Sequence, residues 1–178
     1  MSGPIRNLLS VEQLTALGEI AVASTELESS IGSQISLALN LKKDDYEVIV
    51  GPMNLSTRLE TLRKLGSARI KGKKTKERFL KHIEYLKTLV AQRNTVIHGW
   101  WRPMGKGLRL WDLMAYYSGR FKPPGVEARN RKRSFDAAKL GELANALDAG
   151  SEALFKISAS SWLKDKYKEA NLHALVQD

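Results

Sequence analysis

The chain contains no cysteine. Disulfide frameworks, thiolate nucleophiles and cysteine-bound zinc are excluded together. Histidine is nearly as scarce, with only His82, His98 and His173. None of them forms a His-x-x-x-His or Glu-x-x-His pair, so no metal site is expected. His82 and His98 also lie about 160° apart around a helix and share no face, which leaves His82 as a surface residue. No apolar run approaches the roughly 18 residues that span a bilayer. The first six residues lack the charged start and apolar core of a signal peptide, so the expected location is cytoplasmic, with no membrane partner. Phosphate-cradling loops of the Gly-x-x-x-x-Gly-Lys or Gly-x-Gly-x-x-Gly type are missing, as are serine-nucleophile motifs, and no cofactor is expected.

What remains is a basic protein of 178 residues, 43% apolar and 27% charged, with a net charge of +10. That length suits one domain with a real core. No repeat, low-complexity block or linker divides it, so residues 1–178 read as a single domain. The positive charge is concentrated in two stretches. Between Arg63 and Lys81 nine basic residues face the single acid Glu77, and from Gly99 to Arg133 nine face Asp112 and Glu127. The rest of the chain is net acidic. Clustering of this kind is the footprint of a polyanion partner, although solvated loops carry charge runs too.

Helical spacing dominates. Val11, Leu14, Leu17, Ile20, Ala21, Leu27, Ile31, Ile35 and Leu39 predict a helix over 10–41, with Ser10 and Gln13 as a capping box. Gly18 and Gly32 interrupt its composition without ending it. A short helix is expected over 44–50, halted at Gly51-Pro52. Thr57-Arg58-Leu59-Glu60 reads as a second capping box, opening a helix that Gly66 stops. Thr75 opens a third long helix that keeps its rhythm to His98, with Gly99 just past its end. The rhythm then breaks across 99–133, a segment rich in turn residues, tryptophan and arginine. Alternation in Leu108-Arg109-Leu110-Trp111-Asp112-Leu113 suits a small hairpin there. Ser134 caps a last long helix to about 159, and 161–178 is a tail. The expected class is all-α: an up-and-down bundle of about four helices, with one long basic, aromatic-rich insertion before the last.

The richest stretch is Arg93-Asn94-Thr95-Val96-Ile97-His98-Gly99. Arginine grips phosphate with a planar, permanent charge. Histidine moves protons near neutral pH. RNA supplies its own nucleophile in the 2′-OH, so a histidine as base or acid and an arginine on the phosphoryl oxygens are enough to cut it without a metal. Asn94 and His98, four residues apart, share a face and can act together, with the amide orienting phosphate or ring. Arg93 and His98 are about 140° apart around the axis, which requires either a bent arginine side chain or a site shared with a second copy. The same residues also make an ordinary helix end, with His98 meeting the last carbonyls.

Arg93, Asn94 and His98 at the end of a late helix in a small helical bundle resemble the HEPN superfamily. Its hallmark is an arginine, four to six residues and a histidine, with a polar residue straight after the arginine. That resemblance implies a homodimer formed through the motif helices. It further implies a metal-independent endoribonuclease leaving 2′,3′-cyclic phosphates, many such proteins being toxins or anti-phage effectors held by a cognate antitoxin or regulatory protein. Other members are non-catalytic modules binding a nucleotide, nucleic acid or protein. The candidate catalytic residues are Arg93, Asn94 and His98. Lys71, Lys73, Lys74, Arg102, Arg129, Arg131 and Arg133 are candidate contacts to the RNA backbone. Trp100, Trp101, Trp111, Tyr116 and Tyr117 could stack bases or anchor the insertion on its own core. Glu19 and Glu26, on one stripe of the first helix, are outside candidates to hold Arg93.

Overall fold

Ser10 opens the first helix reciprocally: its hydroxyl accepts from the Gln13 backbone N–H at 3.2 Å, and Gln13 Oε1 accepts from the Ser10 N–H at 3.0 Å. Helix α1 then runs Val11–Leu39 straight through Gly18 and Gly32. Asn40 ends it by entering the left-handed region at φ 56, a conformation asparagine tolerates, and its N–H turns back to Leu37 and Ser36. In this computed structural model the described residues are 9–98, 100–104, 107–111, 136–160, 162–164 and 166, with the backbone alone for 100–104 and 107–111.

Helix α2, Lys43–Ile49, begins where the Asp45 carboxylate accepts from the Lys42 N–H at 3.4 Å. Helix α3, Leu55–Arg69, starts earlier than the expected Thr57, because Asn54 Oδ1 takes the Thr57 N–H at 2.9 Å. Gly66 does not stop this helix. It is buried within it, and a Cβ there would collide with the Phe79 ring. The glycine thus lets two helices approach rather than ending one. Helix α4, Lys73–His98, is unbroken. A hairpin follows, β1 (Trp100–Met104) antiparallel to β2 (Gly107–Trp111), with Trp100 opposite Trp111 and Arg102 opposite Arg109. Helix α5 spans Ala137–Ser160, and Asp136 Oδ1 accepts the Lys139 N–H at 2.9 Å at its start. The expected cap Ser134 and most of the 99–133 insertion lie outside the described residues.

The class is all-α, as the periodicity predicts, with five helices among the described residues. Contacts between them fix the directions. Arg58 meets Glu28, and Arg69 donates to the Ala38 carbonyl, so α1 and α3 run the same way. Short α2 carries the chain back between them. Phe79 beside Gly66, and Lys87 beside Glu60, set α4 antiparallel to α3. Ser158 meets Gln34 and Lys166 meets Asn40, so α5 runs with α1. Ile20, Leu27, Ile31 and Ile35 of α1, Leu59 and Leu62 of α3, Phe79, Ile83 and Leu86 of α4, and Leu140, Leu147 and Leu154 of α5 form one buried core. Among the described residues, no helix is long and apolar enough to cross a membrane.

Two glycines make opposite predictions. At Gly18, on the exposed side of α1, nothing lies within 4 Å of an added Cβ. Gly18→Ala should raise stability by about 0.5–1 kcal/mol through lower unfolded-chain entropy and better helix propensity. Gly66→Ala should instead push Phe79 from its rotamer and lower stability by about 1–3 kcal/mol. Urea midpoints of the two variants check both signs.

Between α3 and α4, Glu60 accepts from Arg63 at 2.6 Å and from Lys87 at 2.9 Å, and Lys87 also reaches Glu84 at 2.9 Å. The Arg63 hydrogen bond, then the Lys87 one, holds the Glu60 carboxyl down from 4.5 to about 2. Glu60 therefore ionises more easily folded than unfolded. Its contribution is present above pH 4.5 and is lost as pH falls toward about 2. Unfolding midpoints measured across that window should fall more steeply for the wild type than for Glu60→Gln.

Candidate functional site

The last turns of α4 are pinned by Val90 and Val96, both buried, with Ile97 packed beside them. That register leaves Arg93 and Asn94 half-buried and His98 exposed at the helix end. On α1, Ser24 is 1% exposed; its hydroxyl donates to the Ile20 carbonyl at 2.5 Å and accepts from Arg93 Nε at 3.2 Å. The other end of the guanidinium then curls around the helix. Nη1 donates to Asn94 Oδ1 at 3.0 Å and lies 3.4 Å from His98 Nε2. The helical angle between Arg93 and His98 is thus spanned by the length of the arginine, and one chain gathers all three residues.

The chemistry of the contact is directional. A guanidinium has no acceptor and is permanently charged, so the ring nitrogen facing it presents its lone pair. At this contact Nε2 can serve only as the acceptor, which is the role a general base plays. Ser24 fixes one edge of Arg93 and Asn94 one nitrogen of the other, so the chain itself orients the fork.

Glu19 and Glu26 are the carboxylates that sequence spacing offers to hold Arg93. Both are exposed, and among the described residues the partners of Arg93 are Ser24, Asn94 and His98. The signal for Ser24 is present in the pattern, since a serine between Ile20 and Leu27 falls on the core-facing stripe of α1. A hydroxyl there needs a partner. His82 differs from expectation as well: it is half-buried, with Nε2 2.9 Å from the Gly150 carbonyl of α5.

The candidate RNA contacts are not all near this cleft. Lys71, Lys73 and Lys74 are exposed around the start of α4. Twenty residues of helix separate Lys73 from Arg93, about 30 Å along the axis. Arg102 sits in β1, four residues beyond His98 in the chain, and its backbone pairs with Arg109. Arg129, Arg131 and Arg133 lie outside the described residues, as do Tyr116 and Tyr117 and the side chains of Trp100, Trp101 and Trp111. No group of three or more potential metal ligands occurs among the described residues. Compared with protein-family models, curated proteins and solved structures, the chain matches none of them.

Proposed function

We propose that the chain is a HEPN-type protein that binds RNA at the Arg93–Asn94–His98 cleft and cuts it without a metal. The observation that carries this reading is the joining of Arg93 Nη1 to Asn94 at 3.0 Å and to His98 Nε2 at 3.4 Å, at an exposed helix end. A phosphate entering between arginine and histidine exchanges the weak guanidinium–imidazole contact for charge-assisted bonds to phosphoryl oxygens. The freed Nε2 takes the proton of the neighbouring 2′-OH. The 2′-oxygen bonds to phosphorus, the bond from phosphorus to the 5′-oxygen breaks, and the products are a 2′,3′-cyclic phosphate and a 5′-hydroxyl. Arg93 stabilises the charge that builds on the phosphorane oxygens.

The leaving 5′-oxygen needs a proton, and each copy of the motif holds a single histidine. A homodimer that crosses two α4 ends would supply the second acid. That pairing, with RNA as substrate and a cognate regulatory protein to restrain it, is part of the proposal. A second reading, a non-catalytic module that binds a nucleotide, a nucleic acid or a protein partner, is favoured by one observation: Nε and Nη1 of the guanidinium already have partners within the chain.

Cleavage of labelled RNAs in excess EDTA separates the two. Cleavage by the wild type that is lost in both Arg93→Ala and His98→Ala supports the nuclease. Salt-dependent binding with no cut products supports the module. Light scattering that gives only monomer removes the shared site.

A further inference from the structure

The two flanks of α4 differ in how their charges are used. On the flank facing α3, Lys87 is bound by Glu60 and Glu84, and Arg63 by Glu60, so the charge cancels within the protein. On the opposite flank, Lys74, Arg78, Lys81 and Tyr85 follow one another at steps of four, three and four residues. Such steps place them on one strip of helix surface. All four are exposed, and none of the three cations has an ion pair among the described residues. The acid Glu77 flanks the strip, three residues after Lys74 and four before Lys81, and among the described residues it pairs with none of the three cations.

Tyr85 stands out on this strip. It is 47% exposed, although the neighbouring Leu86 is fully buried. The ring is nonetheless seated: its centroid lies 6.0 Å from that of His82, tilted by 41°, and His82 is itself held by the Gly150 carbonyl. Gly150 leaves bare backbone beneath, with Tyr85 Cε1 4.0 Å from where a Cβ would stand. An isolated exposed aromatic needs no explanation. A supported one at the end of a row of unpaired cations has the make-up of a stacking platform joined to a phosphate track.

We propose that this strip holds single-stranded RNA, with Lys74, Arg78 and Lys81 along the backbone and Tyr85 stacked on an unpaired base. The inference rests on the RNA reading above and adds a second contact region to it. Tyr85 lies about 17 Å along the axis from Lys74 and about 20 Å from His98. The strip is therefore distinct from the cleft. The surface between them, Thr88, Ala91 and Thr95, is neutral, so the strip anchors the strand that the cleft engages. A duplex hides the faces of its bases, which is why the platform selects single strands. An acidic peptide would be served by the cations alone and would make no use of the ring.

The test measures anisotropy of a labelled, unstructured RNA oligonucleotide and of a blunt RNA duplex, in the His98→Ala background to prevent cleavage. Tyr85→Ala should weaken single-strand binding about tenfold and leave the duplex unchanged, while Tyr85→Phe should bind like the parent. The pair Arg78→Gln and Lys81→Gln should flatten the slope of log affinity against log salt by about 1.4, roughly 0.7 for each phosphate no longer neutralised. Equal affinity of Tyr85→Ala and parent for the single strand overturns the proposal while leaving RNA binding intact. So does competition by polyglutamate that depends on the cations but not on the ring. If the parent binds neither RNA, the functional reading falls and this inference falls with it. All four positions are exposed, so circular dichroism should show each variant folded.

Discussion

As the proton-transfer group of the proposed nuclease, His98 should be required for cleavage: His98→Ala should reduce metal-independent RNA cleavage by about 10²–10⁴-fold, the span typical for loss of such a group. The thermal midpoint should hardly move. The imidazole is exposed, and its one hydrogen-bond contact among the described residues is the 3.4 Å approach of Arg93. Loss of activity without loss of fold is the signature of chemistry rather than scaffolding. Ser24→Ala provides the internal comparison. Ser24 touches no reacting atom in this scheme, so it is a positioning residue, acting only through Arg93 Nε. Its loss should lower the cleavage rate roughly tenfold, the value of one hydrogen bond to a charged group, with the parent substrate affinity kept. The decisive comparison is a double variant. If Ser24 acts through the arginine, Ser24→Ala should add nothing to Arg93→Ala, whereas additive losses would mean the two residues act independently. A His98→Ala protein that cuts RNA as fast as the wild type would end the nuclease reading outright.

The helices are legible in the chain because apolar periodicity is an averaged signal, spread over many residues. Individual positions are less so. Val11 and Leu14 belong to the apolar count of the first helix yet are exposed. Val11 lies about 180° from Ile20 around the axis, so it faces away from the stripe that the core uses. Gly66 shows a different failure. Glycine after a leucine run reads locally as a helix stop, but here its missing Cβ makes room for Phe79, on the next long helix. Only packing reveals that. The site shows the same division. The identities Arg93, Asn94 and His98 come from local spacing, and rigid-helix geometry sets the two ends apart. The flexible arginine brings them to 3.4 Å, because Ser24 on another helix gives its Nε a fixed anchor. Local pattern marks Ser24 as a core-facing hydroxyl in need of a partner, but not that the partner is Arg93.

Arg58 follows that rule at the scale of stability. In the sequence it reads only as the second residue of a capping box, but it is 8% exposed and acts as a clamp. Nε donates to the Met53 carbonyl at 3.0 Å, Nη1 to the Glu28 carbonyl at 3.1 Å, and Nη2 to the Gly51 carbonyl at 3.4 Å, while Nη2 lies 3.5 Å from the Glu28 carboxylate. The loop that turns α2 into α3 is thereby fastened to the middle of α1, where Gly32 and Tyr46 pack beside the guanidinium. Arg58→Ala removes the donors and leaves the Met53 and Gly51 carbonyls to find new partners in a partly closed site. An expected loss of about 3 kcal/mol follows, since hydrogen bonds from a charged donor are each worth about 1.5–3 kcal/mol and water replaces some of them. For a chain of this length that should appear as a fall in thermal midpoint of roughly 6–12 °C. Arg58→Lys should recover little, because one ammonium cannot reach three carbonyls in a fork. Glu28→Gln separates the ion pair from the clamp. Its carboxylate is more than a third exposed, so removing that charge should cost under about 1 kcal/mol. If Glu28→Gln proved as damaging as Arg58→Ala, the ion pair rather than the three carbonyls would be holding the loop.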